Sequence, residues 1–337
     1  MSQKISDKES HVAVLGAGMY GMAMAVALSN NTSINKKIVV WARDKNTADD
    51  INNNHRNSKY FKGFEFNKSI LASSDIERAV SDATAVLVAV PAQNVRIVLE
   101  LARDYLPSNA PIIICSKGIE QQTNMLMTQV VDEVLPEHGL VVLSGPALAG
   151  EIVRGLPTCL TVASSNFSTA QEVSMLIKSD NMMTQICQDP LGVEICSALK
   201  NVTAIAAGVA YGLGLGENAS SAIATFGLIE AQQIVTVLGG DKETVLTQAG
   251  VGDLMLTAGS LNSRNTSFGI EIGSGDSPQE IIKKRQDQGI VTEGYWTAPA
   301  VLKIVNNLGI EAPVSRAVAK IINGAPPKPI IESLFKS

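Results

Sequence analysis

Lys200 stands in the segment CSALKN and is the only charged side chain between Glu194 and Glu217. An ammonium group in so apolar a run is costly unless it is neutralised, paired or used. Burial moves a lysine toward neutral pH, so Lys200 is a candidate either for an ion pair or for chemistry. A second lysine, Lys117, follows the β-branched run of PIIICSKG, and Gly145 follows another in LVVLSGP. Residues 249–269, AGVGDLMLTAGSLNSRNTSFG, gather Asp253, Thr257, Ser263, Arg264 and Asn265 around glycine-bearing turns. Ser-Arg-Asn offers hydroxyl, guanidinium and amide donors, and the arginine fork suits a phosphate because it bonds two oxygens at once.

A different chemistry is written at residues 16–21. HVAVLG runs into GAGMYG, which places Gly16, Gly18 and Gly21 in GxGxxG spacing ahead of the helix-forming MAMAVAL. The first glycine allows a tight turn, the second lets a pyrophosphate approach the backbone, and the third lets helix and strand pack closely. That pattern at the first strand of a parallel series predicts a dinucleotide, with its phosphates at the helix N-terminus. The second strand ends in Trp41-Ala42-Arg43-Asp44. Arg43 can meet the 2′-phosphate of NADP and Asp44 can bond the ribose of NAD, so both cofactors stay open.

These groups need a scaffold. HVAVLG (11–16), KIVVWAR (37–43), ATAVLVAVP (83–91), PIIICSKG (111–118) and LVVLSGP (140–146) are β-branched and nearly uncharged, with amphipathic segments between them. They predict a doubly wound α/β domain, a parallel sheet covered by helices on both faces, which PTCLTVAS (157–164) extends. In such a sheet ligands bind beyond the carboxyl ends of the strands, where Lys117 and Gly145 fall. From Gly192 onward the pattern turns to long Ala-, Leu- and Val-rich helical runs, and Asp189-Pro190 marks a break. The expected division is a dinucleotide-binding domain at 1–191 and an all-helical substrate and catalytic domain at 192–337. The apolar stretch 195–216 reads as a core helix running into a glycine-rich loop, because Lys200 and Asn201 would lie inside any membrane span.

Composition sets further bounds. A net charge of −5 argues against general nucleic-acid binding. Cys115, Cys159, Cys187 and Cys196 lack CxxC spacing and read as free thiols of a reducing compartment. His11, His55 and His138 form no ligand pattern, so no metal is expected. The N-terminal MSQKISDKES lacks the apolar core of a signal peptide, which points to the cytoplasm.

Taken together, GAGMYG, WAR, SKGIE, LSGPALAGE, SALKN, AGVGDLMLT, SRN with FG, and VTEGY resemble the bacterial-type NAD(P)-dependent sn-glycerol-3-phosphate dehydrogenases over about residues 11–325. The resemblance implies a Rossmann-type domain followed by a helical one, NAD or NADP as cofactor, and interconversion of dihydroxyacetone phosphate and sn-glycerol 3-phosphate for phospholipid synthesis. It implies Lys200 as general acid/base, and Lys117, Gly145, Lys200, Asp253, Ser263, Arg264 and Asn265 as substrate contacts, with Asn201 and Thr257 beside them. Its implied cofactor contacts are Gly16, Gly18, Met19, Tyr20, Gly21, Arg43, Lys117, Ala149, Arg264, Val291 and Glu293, and its implied assembly is a homodimer.

Three positions depart from the family pattern. Ala147 stands where a hydroxyl residue is usual, Met19-Tyr20 replace a serine-bearing pair, and Phe226 replaces a common arginine. None transfers a proton, so the expected effect is on affinity. The rival readings are a 3-hydroxyacid-type dehydrogenase with a carboxylate substrate, and a non-catalytic dinucleotide-binding regulator.

Overall fold

The computed structural model describes residues 10–31 and 36–336. All but the last residue of the polar N-terminal stretch lies outside them. The chain forms two compact units, one of residues 1–116, 127–143 and 147–190, the other of 117–126, 144–146 and 191–337. The helical unit thus takes in two short excursions that a single boundary at 191/192 assigns to the first domain. They carry Lys117 and Gly145.

Among the described residues the first unit is built on eight strands: β1 (His11–Leu15), β2 (Lys37–Trp41), β3 (Ile70–Ser73), β4 (Ala83–Val88), β5 (Ile112–Ile114), β6 (Leu140–Ser144), β7 (Thr158–Ala163) and β8 (Met182–Cys187). Their order is β3-β2-β1-β4-β5-β6-β7-β8. The pairs from β3 across to β6 and the pair β7–β8 are parallel. Helices α1 (Met19–Ser29), α2 (Lys45–Asn54) and α3 (Ile76–Val80) follow β1, β2 and β3. Helices α4 (Val95–Ala102), α5 (Met127–Val134), α6 (Ala149–Val153) and α7 (Phe167–Ile177) follow β4, β5, β6 and β7. The apolar runs become strands because both faces of the sheet are covered; β1 is buried along its whole length. The direction of strand succession reverses between β1 and β4, the position at which such sheets bind ligands.

Among the described residues the second unit is helical apart from one isolated antiparallel bridge, Ile119 with Leu126. Its helices are α8 (Pro190–Gly212), α9 (Gly216–Val237), α10 (Asp253–Gly259) and α11 (Arg264–Gly273). They are followed by α12 (Pro278–Asp287), α13 (Glu293–Leu308), α14 (Pro313–Ile322) and α15 (Pro327–Ser333). Among the described residues α8 alone is long and apolar enough to cross a membrane, yet 94% of its most apolar window is buried within the protein. It is a core helix.

The expected glycine loop after that helix begins later than the sequence suggests. Gly208 and Gly212 remain helical, and a methyl group on them would lie 2.2 Å from the Thr266 carbonyl oxygen and 2.3 Å from that of Ile270. Across the seam, a methyl on Gly269 or Gly273 of α11 would strike the carbonyl oxygens of Ile205 and Val209. Four glycines thereby let the α8 and α11 backbones touch. The turn proper is left to Gly214 and Gly216, both at positive φ.

Candidate active site

The α8–α11 seam brings the Ser-Arg-Asn end of α11 beside the Lys200-Asn201 turn of α8. Lys200 is 9% exposed, and its Nζ donates to Asp253 Oδ1 at 2.8 Å and to Thr257 Oγ1 at 2.8 Å. Asp253 and Thr257 lie four residues apart on α10 and so share one face. Lys117 Nζ donates to the other oxygen of Asp253 at 2.5 Å and to the Gly145 carbonyl at 3.1 Å. One buried carboxylate therefore bridges two ammonium groups.

The electrostatics follow from that arrangement. Burial pulls Lys200 down to about 8, and the charges of Lys117 and Arg264 add to the fall while Asp253 resists it. Burial alone would raise the Asp253 carboxyl, but Lys117 and Lys200 hold it below its ordinary value. Lys200 is thus a cation near its titration point at neutral pH. An ammonium has three hydrogens, and two are committed to Asp253 and Thr257. The third is available to an oxygen.

Around this cluster the polar residues lock one another in place. Asn265 Nδ2 donates to Asn201 Oδ1 at 2.8 Å, and Asn265 Oδ1 accepts from the Gly294 amide at 3.0 Å. Ser263 caps α11 by accepting from the Thr266 amide. Arg264, next in sequence, is exposed, and among the described residues its guanidinium makes no hydrogen bond. The Arg264 guanidinium is exposed, whereas Asn265 is buried, with one Nδ2 hydrogen on Asn201 and the second uncommitted among the described residues.

Val291 and Glu293 flank the start of α13, whose Gly294 lies against the Asn201 carbonyl so closely that a methyl there would approach it to 2.6 Å. Burial raises the Glu293 carboxyl to about 7, with Arg264 opposing. Sequence reasoning missed the Ser197 hydroxyl, which meets Ser144 Oγ at 2.6 Å and the Val193 carbonyl at 2.7 Å. Its only signal was a position three residues before Lys200. Sequence reasoning also missed the glycine seam, whose signal is the four-residue spacing of Gly208 and Gly212.

The first unit holds the other half of the expected constellation. Gly16 has φ +118°, and a methyl on Gly21 would sit 1.9 Å from the Gly16 carbonyl oxygen. Nothing lies within 4 Å of a methyl built on Gly18. Gly18 is the N-cap of α1, with no side-chain cap and no acidic residue in the first turn, so the positive end of the helix is not covered by a side chain and suits an anion. The glycines clear space for a pyrophosphate at a helix N-terminus, and a dinucleotide fits them. Met19 is half-exposed at the start of α1, and Tyr20 packs against the core.

Ala149 opens α6, and Ala147 packs at the edge of the same core. Arg43 is exposed, while Asp44 caps α2, accepting from the Asn46 and Thr47 amides and from the Thr47 hydroxyl. Phe226, in the second unit, packs on Phe335 with ring centroids 5.9 Å apart. Among the described residues no cluster of three or more His, Cys, Asp and Glu side chains could hold a metal.

Comparison with known proteins fixes the family. Residues 11–170 match the N-terminal model of NAD-dependent glycerol-3-phosphate dehydrogenase, and residues 189–332 match its C-terminal model. The chain belongs to this family. It is 38% identical over 313 residues to glycerol-3-phosphate dehydrogenase [NAD(P)+] of Chelativorans sp., covering 93% of this chain and 92% of that one. The enzyme of the same name from Parvibaculum lavamentivorans is 37% identical over 314 residues, with 93% and 92% covered. The crystal structure of glycerol-3-phosphate dehydrogenase from Coxiella burnetii superposes with a TM-score of 0.90 at 30% identity, covering 98% of this chain and 99% of that one. As a member of the glycerol-3-phosphate dehydrogenase family, the chain is an NAD(P)-dependent oxidoreductase acting on a CH–OH donor. The non-catalytic reading is thereby set aside.

Proposed function

We propose that the chain reduces dihydroxyacetone phosphate to sn-glycerol 3-phosphate, reversibly, with Lys200 as the proton donor. The observation that carries this reading is the Lys117–Asp253–Lys200 cluster, two ammonium groups on one buried carboxylate. When bound, NADH or NADPH supplies the hydride to the carbonyl carbon. Lys200 directs its uncommitted N–H at the carbonyl oxygen, stabilises the negative charge that develops there and passes it a proton. In the reverse direction neutral Lys200 takes the alcohol proton. Asp253 and Thr257 fix the direction of the ammonium, and burial, with Lys117, keeps its pKa low.

Arg264 is the free fork for the substrate phosphate, assisted by the Ser263 hydroxyl and the N-terminus of α11. Binding at that remote end converts affinity into orientation of the carbonyl. Thr257 and Asn201 support the site by holding Lys200 and Asn265, and Ala147 lacks a hydroxyl to offer. Because Asp44 is occupied in capping α2, Arg43 is the group left to meet an adenosine ribose, which supports acceptance of NADP.

Dihydroxyacetone phosphate and 3-hydroxy or 3-oxo acids, each tested with NADH and NADPH, decide the substrate class. Turnover confined to the acids would overturn the phosphate reading. We further place the enzyme in the cytoplasm, feeding glycerophospholipid synthesis, as a homodimer. Exposed Ile229 and Val237 on α9 support an apolar contact between copies; sedimentation as a single chain would overturn it.

A further inference from the structure

Arg285 belongs to none of the motifs that mark the site, yet its side chain reaches two of them. It lies on α12 and is 8% exposed. Its Nη1 donates to the Arg264 carbonyl at 2.6 Å and to the Thr292 hydroxyl at 3.1 Å. Its Nη2 donates to Ser267 Oγ at 3.0 Å and to the Glu271 carboxylate. The guanidinium lies 5.5 Å from the centroid of the Phe268 ring, which meets Tyr295 edge-on.

The placement of these acceptors is informative. Arg264 is the first residue of α11, and Thr292 is the N-cap of α13, between Val291 and Glu293. Ser267 and Glu271 on α11 take up only one terminal nitrogen of the guanidinium. Here the other terminal nitrogen ties the backbone of one site segment to the cap of another. A planar fork suits this role, because a lysine could not hold four acceptors in one plane.

We propose that Arg285 is a positioning residue that sets the spacing between Arg264 and Glu293, and so governs affinity for both the substrate phosphate and the dinucleotide. The proposal rests on the assignment of Arg264 and Glu293 to the site. Arg285 touches no reacting atom, so its loss acts on binding and leaves the chemical step.

The test uses the full-length enzyme and four variants. Arg285→Lys keeps the charge and one or two bonds; Thr292→Val removes one arm with no change of charge. Arg285→Lys is expected to raise KM for dihydroxyacetone phosphate and Kd for NADPH by about 10- to 100-fold, with kcat within about threefold of wild type. Thr292→Val shifts Kd for NADPH in the same direction by less. Ile282→Val, a change in the apolar core of the same helix, lowers Tm and leaves both constants in place, which separates positioning from stability. Arg264→Ala tests the site assignment itself. If Arg264→Ala raises KM but Arg285→Lys changes neither constant, or lowers kcat alone, the role given to Arg285 is overturned. If Arg264→Ala changes neither constant, the site assignment fails, and the inference with it.

Discussion

At the end of β1 three glycines clear side chains away from a helix N-terminus, whereas around Lys200 two ammonium groups converge on a single carboxylate. The first arrangement offers a ligand the end of a helix with no side chain over it, and suits an anion that brings its own charge. The second offers buried charge held near its titration point, and it can exchange a proton. The difference teaches where each is fragile. The glycine loop fails when atoms are added, and the lysine cluster fails when charges are removed.

The largest expected effect tests the charged side. Lys200→Ala should lower kcat by about 10³- to 10⁴-fold while Kd for NADPH, measured by fluorescence titration, stays near wild type. Near-normal turnover would remove Lys200 from the chemistry and collapse the contrast.

The next pair tests the backbone side. A methyl on Gly21 meets the Gly16 carbonyl oxygen at 1.9 Å, so Gly21→Ala should destabilise the first unit by about 1–3 kcal/mol in a denaturant titration. Gly18 is at φ −74° with open space around it, so Gly18→Ala should change stability by about 0.5 kcal/mol or less yet weaken cofactor binding at least about tenfold. Equal stability losses in the two variants would mean that Gly18 serves packing and not a ligand.

The smallest effect concerns Glu293, raised to about 7 from an ordinary value of 4.5. Between those values the folded protein keeps a proton that the unfolded chain releases, so this group's contribution to stability declines as pH rises through that window. Glu293→Gln should flatten that part of the Tm profile. An unchanged slope would show that the carboxyl titrates normally.

The two regions also differ in how far the amino-acid pattern reveals them. The glycine loop is local, so Gly16, Gly18 and Gly21 could be assigned from spacing alone, as could the central strands, which are apolar on both faces. The edge strand β8 was not foreseen, because one side faces solvent and polar Thr184 and Gln185 interrupt it; Met183 is 63% exposed. β3 was missed because it is only four residues long.

Around Lys200 the residue types were legible, but their pairing was not. Asp253 is 53 positions from Lys200 and 136 from Lys117, and only the folded chain shows that it bonds both. Lys117 follows β5 yet packs with the helical unit, which no composition shift marks. Arg285 sits in the charged run KKRQD and looks like a solvated face until its acceptors are seen. Asn265 gives one Nδ2 hydrogen to Asn201 and accepts from the Gly294 amide, partners that the sequence does not reveal.

The central claim is that Lys200 donates the proton from a buried site that lowers its pKa. The pH dependence of kcat/KM for dihydroxyacetone phosphate reduction, followed from about pH 6 to about pH 10, tests it most directly. The account expects a fall with an apparent pKa near the value of about 8 set by burial, Lys117 and Arg264. A profile that stays flat up to about pH 10, where an ordinary lysine begins to titrate, would contradict it.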